Sequence, residues 1–162
     1  GQDWNVITLD SHGQVNDFLM NDKCAAGTGR FMEMIMARVG SDISHLDEFV
    51  RGCRPVPINS MCAVFAESEI VGLMAQETPP GDIVLGCVHS ICHRTAIFAQ
   101  RLTGGHPDIF FSGGLAQSGV MRSVLGEYMK TSRITTHPLS QYTGAVGAAV
   151  LGYGKLKKRS RS

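Results

Sequence analysis

A cysteine placed just ahead of a glycine-rich turn is the feature that most restricts how this chain can fold. Cys24 is followed by Ala-Ala-Gly-Thr-Gly, and a methionine-rich run with helical spacing begins at Phe31. Cys62 stands in a similar position, at the start of a second predicted helix. A helix N-terminus favours the thiolate, which is the form of cysteine that binds iron. Two such cysteines are half of the four ligands that an iron–sulfur cluster takes, and a two-fold dimer would supply the other half.

The spacing of these two cysteines leaves another interpretation open. The separation of Cys24 and Cys62 matches neither a ferredoxin motif nor a zinc knuckle, and two buried, inert cysteines would give the same pattern. The chain has five cysteines, an odd number without the spacing of a secreted disulfide framework. Metal binding, redox chemistry or plain burial is therefore favoured over disulfides, and a cytoplasmic location is expected. Cys53, in a predicted loop, is either incidental or a free thiol.

A group of histidines and cysteines on one predicted helix resembles a metal site at first sight. Cys87, His89, Cys92 and His93 lie within seven positions of each other. Helical geometry places the two histidines on one face, Cys92 at its edge and Cys87 on the opposite, apolar side. These four side chains cannot reach one ion, so the pattern favours core packing combined with a polar face.

Predicted strands and helices alternate along the chain, which indicates a layered α/β domain. Residues 6–10 and 14–19 predict a hairpin turning at Gly13. Ser44 and Asp82 are predicted to cap the second and fourth helices. Methionines at 32, 34 and 36 predict core or subunit interface rather than a cofactor site. A short buried strand is predicted at 109–111 and a further strand at 133–135. The predicted helices cover about 28–39, 44–50, 62–78, 82–103, 115–129 and 144 onward.

Composition excludes several classes of function. The chain has 162 residues with a net charge of +1, and its only basic run is the tail at 154–162, predicted to be disordered. No apolar run approaches the ~20 residues of a membrane span. Neither a nucleic-acid nor a membrane partner is expected. The first residue is Gly1 rather than methionine and a strand follows almost directly, so we expect this sequence to be part of a larger protein.

Two glycine-rich turns are candidates for nucleotide binding. Ser112-Gly113-Gly114 follows a predicted strand, where backbone can approach a ligand closely. Gly27-Thr28-Gly29 could face a phosphate or simply form the turn. Neither a Walker A sequence nor a GxGxxG motif is present, so each turn alone is also compatible with a purely structural role.

Taken together, these segments resemble the BadF/BadG/BcrA/BcrD ATPases, a family of 2-hydroxyacyl-CoA dehydratase activators and ATP-binding subunits of benzoyl-CoA reductase. The resemblance spans nearly the whole chain apart from the basic tail. The segments that carry it, in family order, are 1–3, 20–31, 61–69, 111–114 and 142–149.

The resemblance implies an actin-like ATPase fold of the acetate and sugar kinase superfamily (ribonuclease H-like), with a mixed sheet flanked by helices. Residues 1–153 would form the second of two related domains. It also implies ATP or ADP with Mg, and one 4Fe-4S cluster shared across a homodimer. The implied nucleotide-binding residues are Gly1, Gln2, Asp3, Ser112, Gly113 and Gly114. The implied cluster ligands are Cys24 and Cys62 of each subunit.

The function implied by the resemblance is ATP-dependent delivery of low-potential electrons to an acyl-CoA dehydratase or reductase, with reduced ferredoxin or flavodoxin as the donor. The family's first phosphate-binding domain has no counterpart in this sequence, so we expect the chain alone to hydrolyse ATP poorly. Two alternatives stay open. One is a non-catalytic dimerisation or regulatory module, and the other is a small-molecule kinase domain, against which Cys24 and Cys62 argue.

Overall fold

The chain begins with an antiparallel hairpin. In the computed structural model, which describes residues 3–21, 28–59, 63–103 and 107–159, strand β1 (Trp4–Leu9) pairs with β2 (Val15–Asn21). The Asp10 carboxylate accepts the backbone N–H groups of His12 and Gln14 at 2.8 and 2.9 Å. Gly13 closes the turn with a φ of +75°, a conformation that costs glycine little. The predicted hairpin is confirmed.

Six helices and a second pair of strands follow. Strands β3 (Ile109–Phe110) and β4 (Ile134–Thr135) pair in parallel. The prediction of a mixed α/β chain is confirmed. The strand β3 was expected to be buried, but its Phe110 side chain is 58% exposed. The helices are α1 (Gly29–Arg38), α2 (Leu46–Phe49, preceded by a 3-10 turn at Ile43–His45), α3 (Ala63–Ala75), α4 (Pro80–Gln100), α5 (Gly119–Met129) and α6 (Thr143–Arg159).

The core forms where α4 packs against α1 and α5. Met32 and Met36 of α1 are completely buried, and Met34 packs against the same cluster, so the prediction that the methionine run belongs to the core is confirmed. Thioether side chains suit such a position because they are flexible and fill irregular space. The long helix α4 contributes ten buried residues and is the central element of the domain.

Both predicted helix caps are wrong, because neither Ser44 nor Asp82 occupies the capping position of its helix. The 3-10 turn before α2 is capped by Asp42, whose carboxylate accepts the backbone N–H and the hydroxyl of Ser44 at 2.8 and 2.7 Å. Helix α4 begins at Pro80, a residue suited to the first helical position because it needs no N–H partner there. Asp82 instead accepts the backbone N–H of Arg54 at 2.9 Å, which fixes the segment after α2 to the start of α4.

Helix α6 differs from the others because every residue from 143 to 157 is exposed. The helix runs through Arg159 and therefore crosses the predicted boundary between a domain at 1–153 and a disordered tail at 154–162. Leucine, lysine and arginine in this segment are good helix formers, which explains why the helical backbone continues. The domain boundary itself stays a prediction, and residues 160–162 lie outside the described part of the chain.

Candidate functional site

A cavity of about 560 Å³ opens between the hairpin, α4, α5 and the turn that follows β3. This volume is within the range of small-molecule sites in proteins. Asp3 lines it from one side, and the turn formed by Ser112, Gly113 and Gly114 lines it from the other. The structure therefore brings together residues more than 100 positions apart in the sequence that the family resemblance assigned to one nucleotide site. Gly1 and Gln2, predicted for the same site, lie outside the described residues.

Contacts with the segment before α6 fix the glycine turn. Gly113 has a φ of +98°, where any residue with a side chain is strained. Its N–H donates to the backbone oxygen of Ser140 at 3.0 Å, and the Ser140 hydroxyl donates back to the Gly113 carbonyl at 3.4 Å. Gln117 donates to the Ser140 hydroxyl at 2.9 Å. Ser140 is buried, so this network holds the turn in one conformation beside the cavity.

The same cavity extends to the start of α1. Thr28 and Gly29 both line it. Thr28 is buried and caps the helix, because its hydroxyl accepts the N–H of Phe31 at 3.4 Å. Thr28, which follows Cys24 by four positions in the sequence, is thus part of the cavity wall. Cys24 and Cys62 lie outside the described residues, so their assignment as cluster ligands stays a prediction.

Trp4 is a wall residue that the sequence analysis did not assign. The side chain lines the cavity and packs edge-on against Phe98 of α4, with ring centroids 5.1 Å apart. Arg101 lies over the same phenylalanine at 4.9 Å from the ring centroid. Among the described residues, the buried indole N–H has no hydrogen-bond partner. An inward position in a strand directly after Asp3 is the signal that could have identified Trp4, and as the single tryptophan of the chain it is a natural fluorescence reporter.

The other three cysteines, Cys53, Cys87 and Cys92, are packing residues. Burial raises the pKa of Cys87 and of Cys92 to about 12, so both are neutral thiols at physiological pH. The Cys92 thiol donates to the Met121 carbonyl at 3.6 Å. Cys53 donates to the Phe49 carbonyl at 3.7 Å, and desolvation raises its pKa as well. Within the described ranges, no three histidine, cysteine or acidic side chains gather in a way that could hold a metal ion.

Comparisons with known proteins agree on one family. The family model described as the BadF/BadG/BcrA/BcrD ATPase family matches residues 1–152. The (R)-2-hydroxyglutaryl-CoA dehydratase activating ATPase of Acidaminococcus fermentans is 40% identical over 159 residues, covering 98% of this chain and 60% of the relative. The activator of lactoyl-CoA dehydratase of Anaerotignum propionicum is 41% identical over 164 residues, covering 98% of this chain and 61% of the relative.

The fold agrees with the sequence match. A structure of the activator of the 2-hydroxyisocaproyl-CoA dehydratase from Clostridium difficile with bound ADPNP superimposes with a TM-score of 0.90 at 34% identity. The superposition covers 99% of this chain and 60% of that one. The chain thus spans about 60% of the length of the curated relatives it matches. In the part of the chain that the structure describes, no helix has the length and apolar character needed to cross a membrane.

Proposed function

The chain belongs to the BadF/BadG/BcrA/BcrD ATPase family, and from this we propose that it is the cluster-bearing part of an ATP-dependent electron activator. The activator would deliver low-potential electrons to a 2-hydroxyacyl-CoA dehydratase or a benzoyl-CoA reductase, with reduced ferredoxin or flavodoxin as its donor. The observation that carries the proposal is one cavity shared by Asp3, the glycine turn at 112–114 and Thr28. Relatives of nearly equal identity are named for different acyl-CoA substrates, so overall similarity does not select the substrate.

The residues that line the cavity suit a nucleotide with its metal ion. Gly114 has open space where a Cβ would be, and Gly113 keeps backbone rather than side chain at the cavity wall. Asp3 offers carboxylate oxygens, the kind of group that Mg²⁺ prefers, directly or through water. We propose that these residues, with Ser112, Gly1 and Gln2, hold ATP or ADP with Mg. The ADPNP of the related structure supports this assignment.

The thiol chemistry of the chain fits a shared 4Fe-4S cluster on Cys24 and Cys62. Cys87 and Cys92 are protonated core thiols, and Cys53 is engaged with the backbone of α2, so these three are poor ligands. Two ligands per chain require a second copy to complete four, which is why we propose a homodimer. When bound, the cluster would supply a one-electron redox centre.

The position of Thr28 suggests how the nucleotide and Cys24 communicate. Thr28 contributes to the cavity wall and also caps α1, four positions after Cys24 in the sequence. A nucleotide that displaces the Thr28 side chain would loosen the first turn of α1. In this proposal, Thr28 transmits occupancy of the cavity along the chain to Cys24.

The proposal also includes further protein segments that would pack against these 162 residues. The curated relatives are longer, and the hairpin and α6 present apolar side chains to solvent. We propose that the rest of an activator, in the same polypeptide or another, covers these faces and closes over the nucleotide. Hydrolysis of ATP by the 162-residue chain alone is then weak, and measurable turnover by the purified chain would contradict this part of the proposal.

The first experiment measures iron and acid-labile sulfide after anaerobic reconstitution of the 162-residue chain. We expect about four irons per dimer, an absorption band in the visible, and loss of both in Cys24→Ser and Cys62→Ser. Cys53→Ser is the matched control, because it removes a thiol outside the motif and should keep the iron. A folded dimer without iron would leave a nucleotide-binding or interaction module, and the electron-transfer function would be withdrawn.

The second experiment follows nucleotide binding by Trp4 fluorescence with ADP and ADPNP. Gly114→Ala should weaken binding about tenfold or more, since a methyl group there has no atom of the described residues within 4 Å and would intrude on a ligand in the cavity. Gly144→Ala is the control because it also has open space, but it lies on exposed α6. Equal affinities of both variants and the wild type would rule out the glycine turn as the binding site.

A further inference from the structure

A second cavity, of about 500 Å³, lies on the other side of α4. Its walls are the extended segment 55–59 and the α4 face that carries His89, His93, Arg94 and Ile97. The first cavity is lined by a different set of α4 residues, among them Ile91, Cys92, Thr95 and Ala99. Helix α4 therefore separates the two cavities, and a ligand in one has no direct contact with the other. The proposed function assigns no role to the second cavity.

A tyrosine organises the two histidines of this cavity. The Tyr128 hydroxyl, from α5, lies 3.1 Å from Nδ1 of His89. Its ring also packs against His93, with centroids 5.0 Å apart. Burial raises the pKa of Tyr128, so the hydroxyl keeps its proton and can donate to Nδ1. With Tyr128 as the donor, the His89 ring carries its hydrogen on Nε2 and remains a hydrogen-bond donor. His93, one helical turn away, is exposed and adds a second imidazole to the same cavity.

The described side chains that line the cavity carry positive but no negative charge. Arg94, which also has an interaction within the chain, contributes a guanidinium with its five N–H donors, and the neighbouring Ser90 adds a hydroxyl. Glu69 lies near one end, where its carboxylate accepts the backbone and side-chain N–H groups of Asn59 at 3.0 and 3.4 Å, but Glu69 does not line the cavity. Glu127, next to Tyr128 in α5, is also outside the lining. Donors and positive charge thus face a space lined otherwise by apolar groups.

We propose that this cavity binds the oxyanion group, carboxylate or phosphoryl, of a small molecule. Arg94, His89 and His93 would face the negative charge, and the apolar side chains of segment 55–59 and Ile97 would contact the rest of the ligand. A guanidinium can bind either kind of oxyanion with two parallel hydrogen bonds. A metal ion is a poorer fit, because the described lining offers two imidazoles without a thiolate or carboxylate, and Arg94 would repel a cation.

The chain carries a separate spectroscopic reporter for each cavity. Trp4 lines the first cavity, whose described lining has no histidine, and the second cavity contains His89 and His93. The test is a titration of the 162-residue chain at low ionic strength with inorganic phosphate and, separately, with acetate. Imidazole proton resonances follow the second cavity and Trp4 fluorescence follows the first. Comparison of the wild-type spectrum with His89→Gln and His93→Gln assigns the resonances.

We expect saturable shifts of the His89 and His93 resonances below about 20 mM anion. His12, His45 and His137, which lie outside the cavity, should stay unchanged. Tyr128→Phe removes the hydroxyl but keeps the ring, and should weaken binding about fivefold. His93→Gln, at an exposed position, should weaken binding without affecting folding, and His12→Gln is its matched control.

The two anions distinguish the ligand chemistry. Saturation by phosphate alone identifies a phosphoryl site, and saturation by acetate identifies a site that accepts carboxylates. No saturable shift with either anion, or an equal shift of all the histidine resonances, including those of histidines outside the cavity, would overturn the proposal. Unchanged affinity in both Tyr128→Phe and His93→Gln would overturn it as well.

Discussion

The core around α4 and the two exposed apolar faces contain similar side chains in opposite environments. Met32 and Ile35 of α1 are completely buried. Phe18 in the hairpin and Val150 in α6 are 59% and 64% exposed. The apolar face of the hairpin is formed by cross-strand pairs, Ile7 with Phe18 and Leu9 with Val15. The apolar stripe of α6 recurs at helical spacing, at 146, 150 and 153.

This difference shows that apolar content does not by itself mark the core of the domain. A helix without packing partners is only marginally stable in water at this length, and contiguous exposed apolar surface typically marks an interaction site. The α4 core is complete in itself, whereas the hairpin and α6 carry surfaces suited to another polypeptide segment. The four predictions that follow test this contrast, from the largest expected effect on folding to the smallest.

Gly86→Ala should have the largest effect. A Cβ on Gly86 would clash with the carbonyl oxygen of Val56, because segment 55–59 runs directly against α4. Displacing that segment should lower the free energy of unfolding by about 2–3 kcal/mol in urea denaturation. The matched control is Gly72→Ala in α3, where nothing lies within 4 Å and the helix should gain about 0.5–1 kcal/mol. Equal stabilities of the two variants would refute the close approach.

Asp47→Ala should have the next largest effect. This carboxylate of α2 accepts the hydroxyl of Ser118 and the backbone N–H groups of Gly119 and Val120, the last two at 2.6 and 3.3 Å. It therefore holds the start of α5 against α2. The expected loss is about 1–2 kcal/mol by thermal or urea unfolding. The neighbouring Glu48→Ala controls for the loss of one acidic side chain and should change stability by less than about 0.5 kcal/mol.

Asp42→Asn should have a smaller effect that depends on pH. Hydrogen bonds from Ser44 lower the pKa of the Asp42 carboxyl below its usual value, and the side-chain hydrogen bond contributes more than the backbone one. A lowered pKa in the folded state stabilises the protein above the unfolded-state pKa, and this contribution is lost as pH falls below about 4. The difference in stability between wild type and variant should therefore shrink from pH 7 to pH 3. A constant difference over this range would contradict the role of the charged cap.

Polar substitutions on the exposed faces should have the smallest effect on folding. Phe18→Thr and Val150→Gln remove apolar surface that is already in contact with water, so the free energy of unfolding should change by less than about 0.5 kcal/mol. Both should reduce concentration-dependent association in sedimentation experiments, because they interrupt the apolar faces. Ile35→Thr is the core counterpart and should destabilise strongly. A large loss of stability from Phe18→Thr would show that the hairpin face is part of the core.

The amino-acid sequence was sufficient to predict the features that depend on local backbone chemistry. Turn residues and periodicity predicted the hairpin at Gly13, the methionine-rich helix α1 and the α/β order of the elements. The family could also be predicted from short motifs and their order along the chain. Each motif is a continuous stretch of sequence, so it can be recognised before the fold is known. Helix caps were less predictable. Asp42 rather than Ser44 is the capping residue, and Asp82 accepts the N–H of Arg54 instead of capping α4. Several polar side chains compete for the same N–H groups, and the sequence alone does not decide which one binds.

Only the tertiary structure decided which distant residues meet. Asp3 reaches the same cavity as the turn at 112–114 because the hairpin packs beside α4 and α5. His89 meets Tyr128 because α5 lies along α4. The periodicity of α6 predicts an apolar stripe but says nothing about its partner, and the structure shows that the rest of the described chain does not cover it. Burial and proximity depend on how elements pack together, and this information is not contained in any one segment.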